Sequence, residues 1–99
     1  DITAAFGSSI LAAAGGTVVT AENNATYGNY IVIDHGNGWQ TLYAHMSGFA
    51  VAAGQQVSQG ELIGYVGRTG VATGNHCHFE MYYNGTPVSA RDYFPDIDT

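Results

Sequence analysis

The spacing of glycine is the sequence feature that most limits the fold of this 99-residue chain. Fourteen glycines are spread along it, and the segments between them are short and rich in β-branched residues and tyrosine. Such segments favour strands, and the glycines favour the tight turns that join them. No stretch keeps a helical period for ten residues. The pattern therefore predicts an all-β fold made of short strands.

We predict strands near residues 9–13, 16–22, 29–35, 39–45, 61–66 and 76–83. The clearest hairpin is "IVIDHGNGWQTLYAH", in which Asn37-Gly38 supplies the positive-φ residues of a tight turn. Near the C-terminus, "SARDYF" predicts one helical turn with Ser89 as its cap. The length predicts a single domain over residues 1–99.

The charge balance excludes several classes of partner and cofactor. The chain has eight acidic residues, two arginines and no lysine, which gives a net charge of −6. This charge argues against binding to nucleic acid and to anionic membranes. No apolar run is longer than that of "ILAAA", which is too short to span a bilayer. Without lysine there is no Schiff-base chemistry and no lysine-tethered cofactor.

Two of the four histidines lie one residue apart in "TGNHCHFEMY". Alternation along strand 76–83 places one set of side chains on one face, namely His76, His78, Glu80 and Tyr82. Side chains two residues apart on a strand are rooted roughly 6.5–7 Å apart, close enough to serve one site. Imidazole is a common zinc ligand and a general acid or base near pH 7. The motif indicates either such a site or two half-exposed surface histidines.

A third histidine can join this face. Alternation along strand 39–45 places Trp39, Thr41, Tyr43 and His45 together on a polar, aromatic face. His45 on a matching face favours a functional site over two surface histidines.

Several further side chains near these strands have weaker assignments. Glu80 is expected either to orient one of the histidines or to be a solvated carboxylate. Tyr27, Tyr30 and Tyr43 could line a groove, although tyrosines are ordinary in strands. His35, at the mouth of the hairpin, is expected to be structural or solvent-facing.

Four segments follow one another in the order seen in lysostaphin-type zinc endopeptidases, which cut peptide bonds in bacterial peptidoglycan. They are "GGTVVTA", "YGNYIVIDHGNGWQTLYAHMS", "VAAGQQVSQGELIGYVGRTG" and "ATGNHCHFEMYYNGTPVSARDYF", and together they cover nearly the whole chain. The chain resembles this family most specifically in its YAH and TGxHxHFE motifs. The resemblance implies a small antiparallel barrel-sandwich with one groove-like active site. It also implies a monomer that acts on peptidoglycan peptides, secreted or in the cell envelope, of bacterial or phage origin.

The resemblance also implies a set of site residues. In the family, zinc is held by the histidine and the aspartate of an HxGxD motif and by the second histidine of HxH. The aspartate matches Asp1 and the last histidine matches His78, so zinc is the implied cofactor. His45 and His76 match the two histidines that assist catalysis. The HxGxD histidine would lie four residues before Asp1, outside this sequence, so we expect this chain to bind zinc weakly and to have little activity.

Two other functions fit part of the same pattern. "GQQVSQGELIG" also resembles lipoyl- and biotinyl-carrier domains, but these attach their cofactor to a lysine, which this chain lacks. The second alternative is a catalytically inactive member that binds the cell wall or a protein partner without cutting. Such relatives usually lose site histidines, whereas Asp1, His45, His76 and His78 are all present. The sequence therefore favours the zinc endopeptidase.

Overall fold

Short strands and the turns between them make up the described part of the chain. The computed structural model describes the backbone of residues 2–3, 7–67 and 76–88, and the side chains of residues 7–67 and 78–88. The strands are β1 (Ile2–Thr3), β2 (Ser9–Leu11), β3 (Gly16–Asn24), β4 (Gly28–Gly36), β5 (Trp39–Phe49), β6 (Gln56–Val57), β7 (Leu62–Val66), β8 (His76–Tyr83) and β9 (Thr86–Val88). No helix occurs in these ranges, so the all-β prediction is confirmed for them. The helical turn predicted from Ser89 onward lies outside the described residues.

All six predicted strands are present, and β1, β6 and β9 are short strands that were not predicted. Strand β5 organises the sheet because three other strands pair with it. Residues 39–44 pair with β8 and residues 46–49 pair with β7, both along the same edge of β5. Along its other edge β5 pairs with β4, and β3 and β6 continue the sheet beyond β4. Since β7 also pairs with β2, the antiparallel sheet branches at β5 and curls around a core, as a small barrel-sandwich does.

Two tight hairpins lie side by side at one end of the sheet. Asn37 and Gly38 join β4 to β5 with φ angles of 54° and 87°, so the predicted turn is confirmed. Asn84 and Gly85 join β8 to β9 with φ angles of 51° and 80°, and this turn carries the same sequence signal. The N–H of Asn84 donates to the carbonyl of Gly38 at 2.8 Å, which ties the two turns together.

The hydrophobic core lies on the inner side of the curled sheet. Its most completely buried large side chains are Tyr43, Ile31, Ile33, Met46, Ile63, Val18 and Val66. The Tyr43 hydroxyl accepts the Ala13 N–H at 2.9 Å, and its ring packs edge-on against Phe79 with centroids 5.3 Å apart. Every buried side-chain nitrogen or oxygen in the described ranges has a hydrogen-bond partner. No helix in these ranges is long and apolar enough to cross a membrane.

Candidate active site

His45 lies where β5 leaves β8 and begins to pair with β7. Two residues of β5, Ala44 and His45, stand opposite the single residue Tyr30 of β4, which makes a β-bulge. His45 has a φ of 60°, a left-handed conformation that residues with a side chain adopt at a cost. Bulges of this kind re-aim side chains. Here the bulge brings the largely buried His45 ring to within 6.1 Å of the His78 ring, centroid to centroid.

His78 is oriented by a carboxylate from its own strand. Its Nε2 atom lies 2.8 Å from Oε2 of Glu80, which is two residues further along β8 and on the same face. An ionised carboxylate only accepts hydrogen bonds, so Nε2 is the nitrogen that donates. Nδ1 is therefore the nitrogen through which His78 would bind a metal. Histidines that bind metals usually donate their other nitrogen to a carboxylate or carbonyl in this way.

Two tyrosine hydroxyls hold the other oxygen of Glu80. Tyr82 and Tyr27 both donate to Oε1, Tyr27 from a distance of 3.2 Å. Burial alone would raise the pKa of Glu80, but the hydrogen bonds from Tyr82, His78 and Tyr27 outweigh burial and lower it. The pKa of Tyr82 and the pKa of Tyr27 are both raised, first by burial and then by the neighbouring Glu80. At neutral pH the cluster therefore holds a carboxylate charge between two neutral phenols.

The predicted faces of β5 were wrong for Trp39, Thr41 and Tyr43. Tyr43 stands opposite Phe79 in the sheet register and is 2% exposed, so it belongs to the core and does not line a groove. Thr41 is likewise buried, and Trp39 packs against the core. The histidine face of β5 carries the residues opposite His78 and Glu80, namely Ala44 and Leu42. The prediction assumed a regular strand, whereas the bulge shifts the alternation by one residue just before His45.

His35 has the structural role that was expected for it. Its Nδ1 atom lies 2.8 Å from the carbonyl oxygen of Gly15, and its Nε2 atom lies 2.7 Å from the Thr41 hydroxyl. The hydroxyls of Thr41 and Tyr43 are in turn 2.9 Å apart. His35 therefore links the segment before β3 to buried polar groups of β5, on the core face.

Two of the predicted site residues fall outside this description. Asp1 and the side chain of His76 lie outside the described residues. In the part of the chain that is described, no three histidine, cysteine, aspartate or glutamate side chains could hold a metal ion together. Of the predicted zinc ligands, the described part of the chain contains His78, which contacts Glu80. The backbone of Ile2, the residue after Asp1, pairs with that of Cys77, the residue before His78.

The structure adds Tyr27 and Tyr82 to the site as partners of Glu80, whereas the sequence indicated Tyr27 only as a tyrosine that could line a groove. Alternation had placed Tyr82 on the face of Glu80, so a contact between them could have been predicted. Tyr27 lies 53 residues from Glu80 in the chain and reaches it from the turn between β3 and β4. No local sequence pattern indicates that contact.

Comparison with known proteins identifies relatives along nearly the whole chain. The model of Peptidase family M23 matches residues 1–90. The peptidoglycan DD-endopeptidase ShyA of Vibrio cholerae is 42% identical over 90 residues, which are 91% of this chain and 21% of that protein. This chain therefore spans about a fifth of the length of that curated relative.

Solved structures with the same fold include two peptidases. A zinc-containing peptidase from Vibrio cholerae superposes with a TM-score of 0.85 and 34% identity, covering 88% of this chain and 27% of that one. The catalytic domain of the antimicrobial peptidase lysostaphin from Staphylococcus simulans gives a TM-score of 0.88 and 27% identity, covering 95% of this chain and 75% of that one. The predicted antiparallel barrel-sandwich is confirmed by these superpositions.

Proposed function

The chain belongs to peptidase family M23, and from this premise we propose that it hydrolyses peptide bonds of bacterial cell-wall peptidoglycan with the help of a zinc ion. The observation that carries the proposal is the His78–Glu80 pair, a histidine held by a carboxylate at 2.8 Å. A second imidazole, that of His45, lies beside it. Two relatives support the substrate and the metal, since one is named a peptidoglycan DD-endopeptidase and the other a zinc-containing peptidase.

The donor set fits zinc. We propose that His78 and Asp1 hold the ion, because imidazole nitrogen and carboxylate oxygen are both usual zinc donors. The carboxylate on Nε2 of His78 is the partner that a zinc-binding histidine commonly has. The pairing of Ile2 with Cys77 supports a shared site, since it joins the backbones next to the two proposed ligands. Zinc, when bound, would act as a Lewis acid toward the scissile carbonyl and the attacking water.

His45 and His76 are the proposed proton carriers. An imidazole changes its charge near pH 7, so it can take a proton from water and give it to the departing amine. The His45 ring is held close to His78, and its backbone is fixed by a 2.7 Å hydrogen bond from its N–H to the carbonyl of Tyr27. A fixed ring suits this work, because proton transfer needs the acid or base within hydrogen-bond reach of the reacting atoms. A wall substrate also implies that the protein acts outside the cytoplasm, secreted or in the envelope.

Cleavage of purified peptidoglycan tests the proposal. The HxGxD motif of the family has its histidine four residues before the aspartate, so a version with His-x-Gly-x added before Asp1 supplies the third ligand. We expect the extended chain to bind zinc more tightly than the 99-residue chain, to release peptides detectable by mass spectrometry, and to stop when zinc is chelated. Wall binding without released peptides in both versions would contradict the proposal and favour an inactive binding member.

Substitutions in the extended chain test the residue assignments. His78→Ala should abolish both zinc binding and cleavage. His45→Ala should keep zinc but lower turnover by about 10²–10⁴, the usual contribution of general acid–base help. His35→Ala is the matched control, since His35 lies in the core-side network, and it should retain full turnover per folded molecule. Retention of zinc and activity in His78→Ala would refute the ligand assignment.

A further inference from the structure

We infer that Tyr27 is a positioning residue that holds both site histidines, a role that rests on the proposed function of the site. Three contacts carry the inference. The Tyr27 carbonyl accepts the N–H of His45 at 2.7 Å. The Tyr27 hydroxyl donates to Glu80, the partner of His78, at 3.2 Å. The Tyr27 ring also stacks on the His78 ring, with centroids 6.4 Å apart and planes 17° apart.

The turn that carries Tyr27 is itself fixed by one side chain. Asn24, the last residue of β3, accepts the backbone N–H of Thr26 at 3.0 Å and that of Tyr27 at 2.6 Å through its Oδ1 atom. Gly28 then begins β4 with a φ of 64°, which glycine adopts without strain. The three residues between the strands therefore present the Tyr27 carbonyl and hydroxyl from one defined position.

The backbone contact matters because of the conformation of His45. A left-handed residue other than glycine is held at a cost of roughly 1–2 kcal/mol, so it persists only where its surroundings fix it. The hydrogen bond from the His45 N–H to the Tyr27 carbonyl joins the bulge of β5 to the β3–β4 turn. Loosening this turn should let the bulge relax and move the His45 ring away from the site.

The side-chain contact matters because Glu80 has two oxygens with different partners. Oε1 accepts from Tyr27 and Tyr82, and Oε2 faces Nε2 of His78. Two phenols on one oxygen set the rotation of the carboxylate, and that rotation keeps the other oxygen on the histidine. Tyr27 therefore favours the His78 tautomer with its proton on Nε2, which keeps Nδ1 as the nitrogen for a metal.

Tyr27→Phe tests the side-chain contact, with Tyr30→Phe as its control. Tyr30 is the neighbouring ring, 5.5 Å from Tyr27 between centroids. The tautomer of His78 is read from long-range proton–nitrogen spectra of the metal-free 99-residue chain. We expect Tyr27→Phe to lower the ratio of Nε2–H to Nδ1–H tautomers about threefold or more, and Tyr30→Phe to leave it unchanged. Equal ratios in the two variants would overturn the inference for His78.

Asn24→Ala tests the backbone contact, with Asn24→Asp as its rescue. Asp keeps an acceptor oxygen for the two turn N–H groups, whereas Ala removes it. We expect Asn24→Ala to speed hydrogen exchange at the His45 amide by at least about tenfold, since exchange reports local opening. The amide of Val18, bonded to the Gln55 carbonyl at 2.8 Å, is the reference and should not change. Unchanged exchange at His45, or no recovery in Asn24→Asp, would overturn the inference for His45.

The two variants should also differ in their effects on the zinc requirement and the kcat of the zinc-loaded extended chain. Tyr27→Phe should raise the zinc concentration needed for half-maximal turnover, because it acts on His78. Asn24→Ala should in addition lower kcat at saturating zinc, because it loosens the turn that holds the His45 backbone as well as the Tyr27 hydroxyl. The two spectroscopic measurements need neither zinc nor activity, so an inactive protein would defeat the proposed function while leaving this test intact.

Discussion

The left-handed backbone of His45 should reverse the usual order of two substitutions. At an ordinary strand position glycine is less stable than alanine by roughly 0.5–1 kcal/mol, because it loses more conformational freedom on folding. At His45, with a φ of 60°, alanine carries a further cost of about 1–2 kcal/mol that glycine avoids. The midpoints of the two ranges differ by about 0.75 kcal/mol, so His45→Gly should be more stable than His45→Ala by about that amount.

Thermal unfolding of the two variants, followed by circular dichroism, measures this difference. For a domain of this size 1 kcal/mol corresponds to roughly 4–8 °C in Tm, so the expected gap is about 3–6 °C. The control pair is Gln40→Gly and Gln40→Ala, because Gln40 lies on the same strand and is not among its positive-φ residues. At Gln40 the alanine variant should be the more stable one.

Both His45 variants lack the imidazole, so their activity should fall together and only their stability should differ. A higher Tm for His45→Ala, by the margin found at Gln40, would show that residue 45 is not held in the left-handed conformation. The bulge would then fail as the explanation of how His45 reaches His78.

Two further substitutions test the packing around the site. Thr41→Val should lower the free energy of unfolding by about 2–3 kcal/mol, because it removes the hydroxyl that both His35 and Tyr43 contact. Chemical denaturation measures this change, and a decrease below about 0.5 kcal/mol would contradict the network. Gly67→Ala should lower the free energy of unfolding by about 1–3 kcal/mol, because its methyl would overlap the backbone of β5. The control is Gly48→Ala, whose methyl meets no atom within 4 Å and which should be neutral or slightly stabilising. Equal Tm values for the two variants would refute the close approach at Gly67.

Most of the fold could be predicted because its signals are local. The Asn37-Gly38 turn pairs β4 with β5 beginning at Gly36 and Trp39, since positive-φ residues close so short a hairpin. A bulge at His35 then shifts the register of the two strands by one residue, and the turn alone does not predict that shift. Alternation in β8 correctly separates buried Phe79 from the half-buried His78, because that strand is regular between residues 78 and 83. The second tight turn, at Asn84-Gly85, carries the same Asn-Gly signal, so the hairpin of β8 and β9 is equally predictable from the sequence.

The site was less predictable because it depends on contacts between distant segments. Tyr27 reaches Glu80 only after β3, β4, β5 and β8 have assembled, and neither residue type indicates the other. The assignment of Asp1 and His78 as zinc ligands, and of His76 as a histidine that assists catalysis, came from resemblance to a family. They remain proposals, and periodicity alone could not distinguish a ligand from a helper among neighbouring histidines.

The failed alternation in β5 and the position of His45 have one physical cause. A regular strand would have carried Tyr43 and His45 on the same face, and Tyr43 is committed to the core by its packing on Phe79. His45 can therefore face His78 only if the alternation breaks between them, and the bulge with its positive φ supplies that break. The same bulge lies where the edge of β5 changes partner from β8 to β7, so the bulge that accompanies the branching of the sheet also aims the imidazole. A substitution that relieves the backbone strain at residue 45, such as His45→Gly, should therefore favour stability only by removing the imidazole from the site.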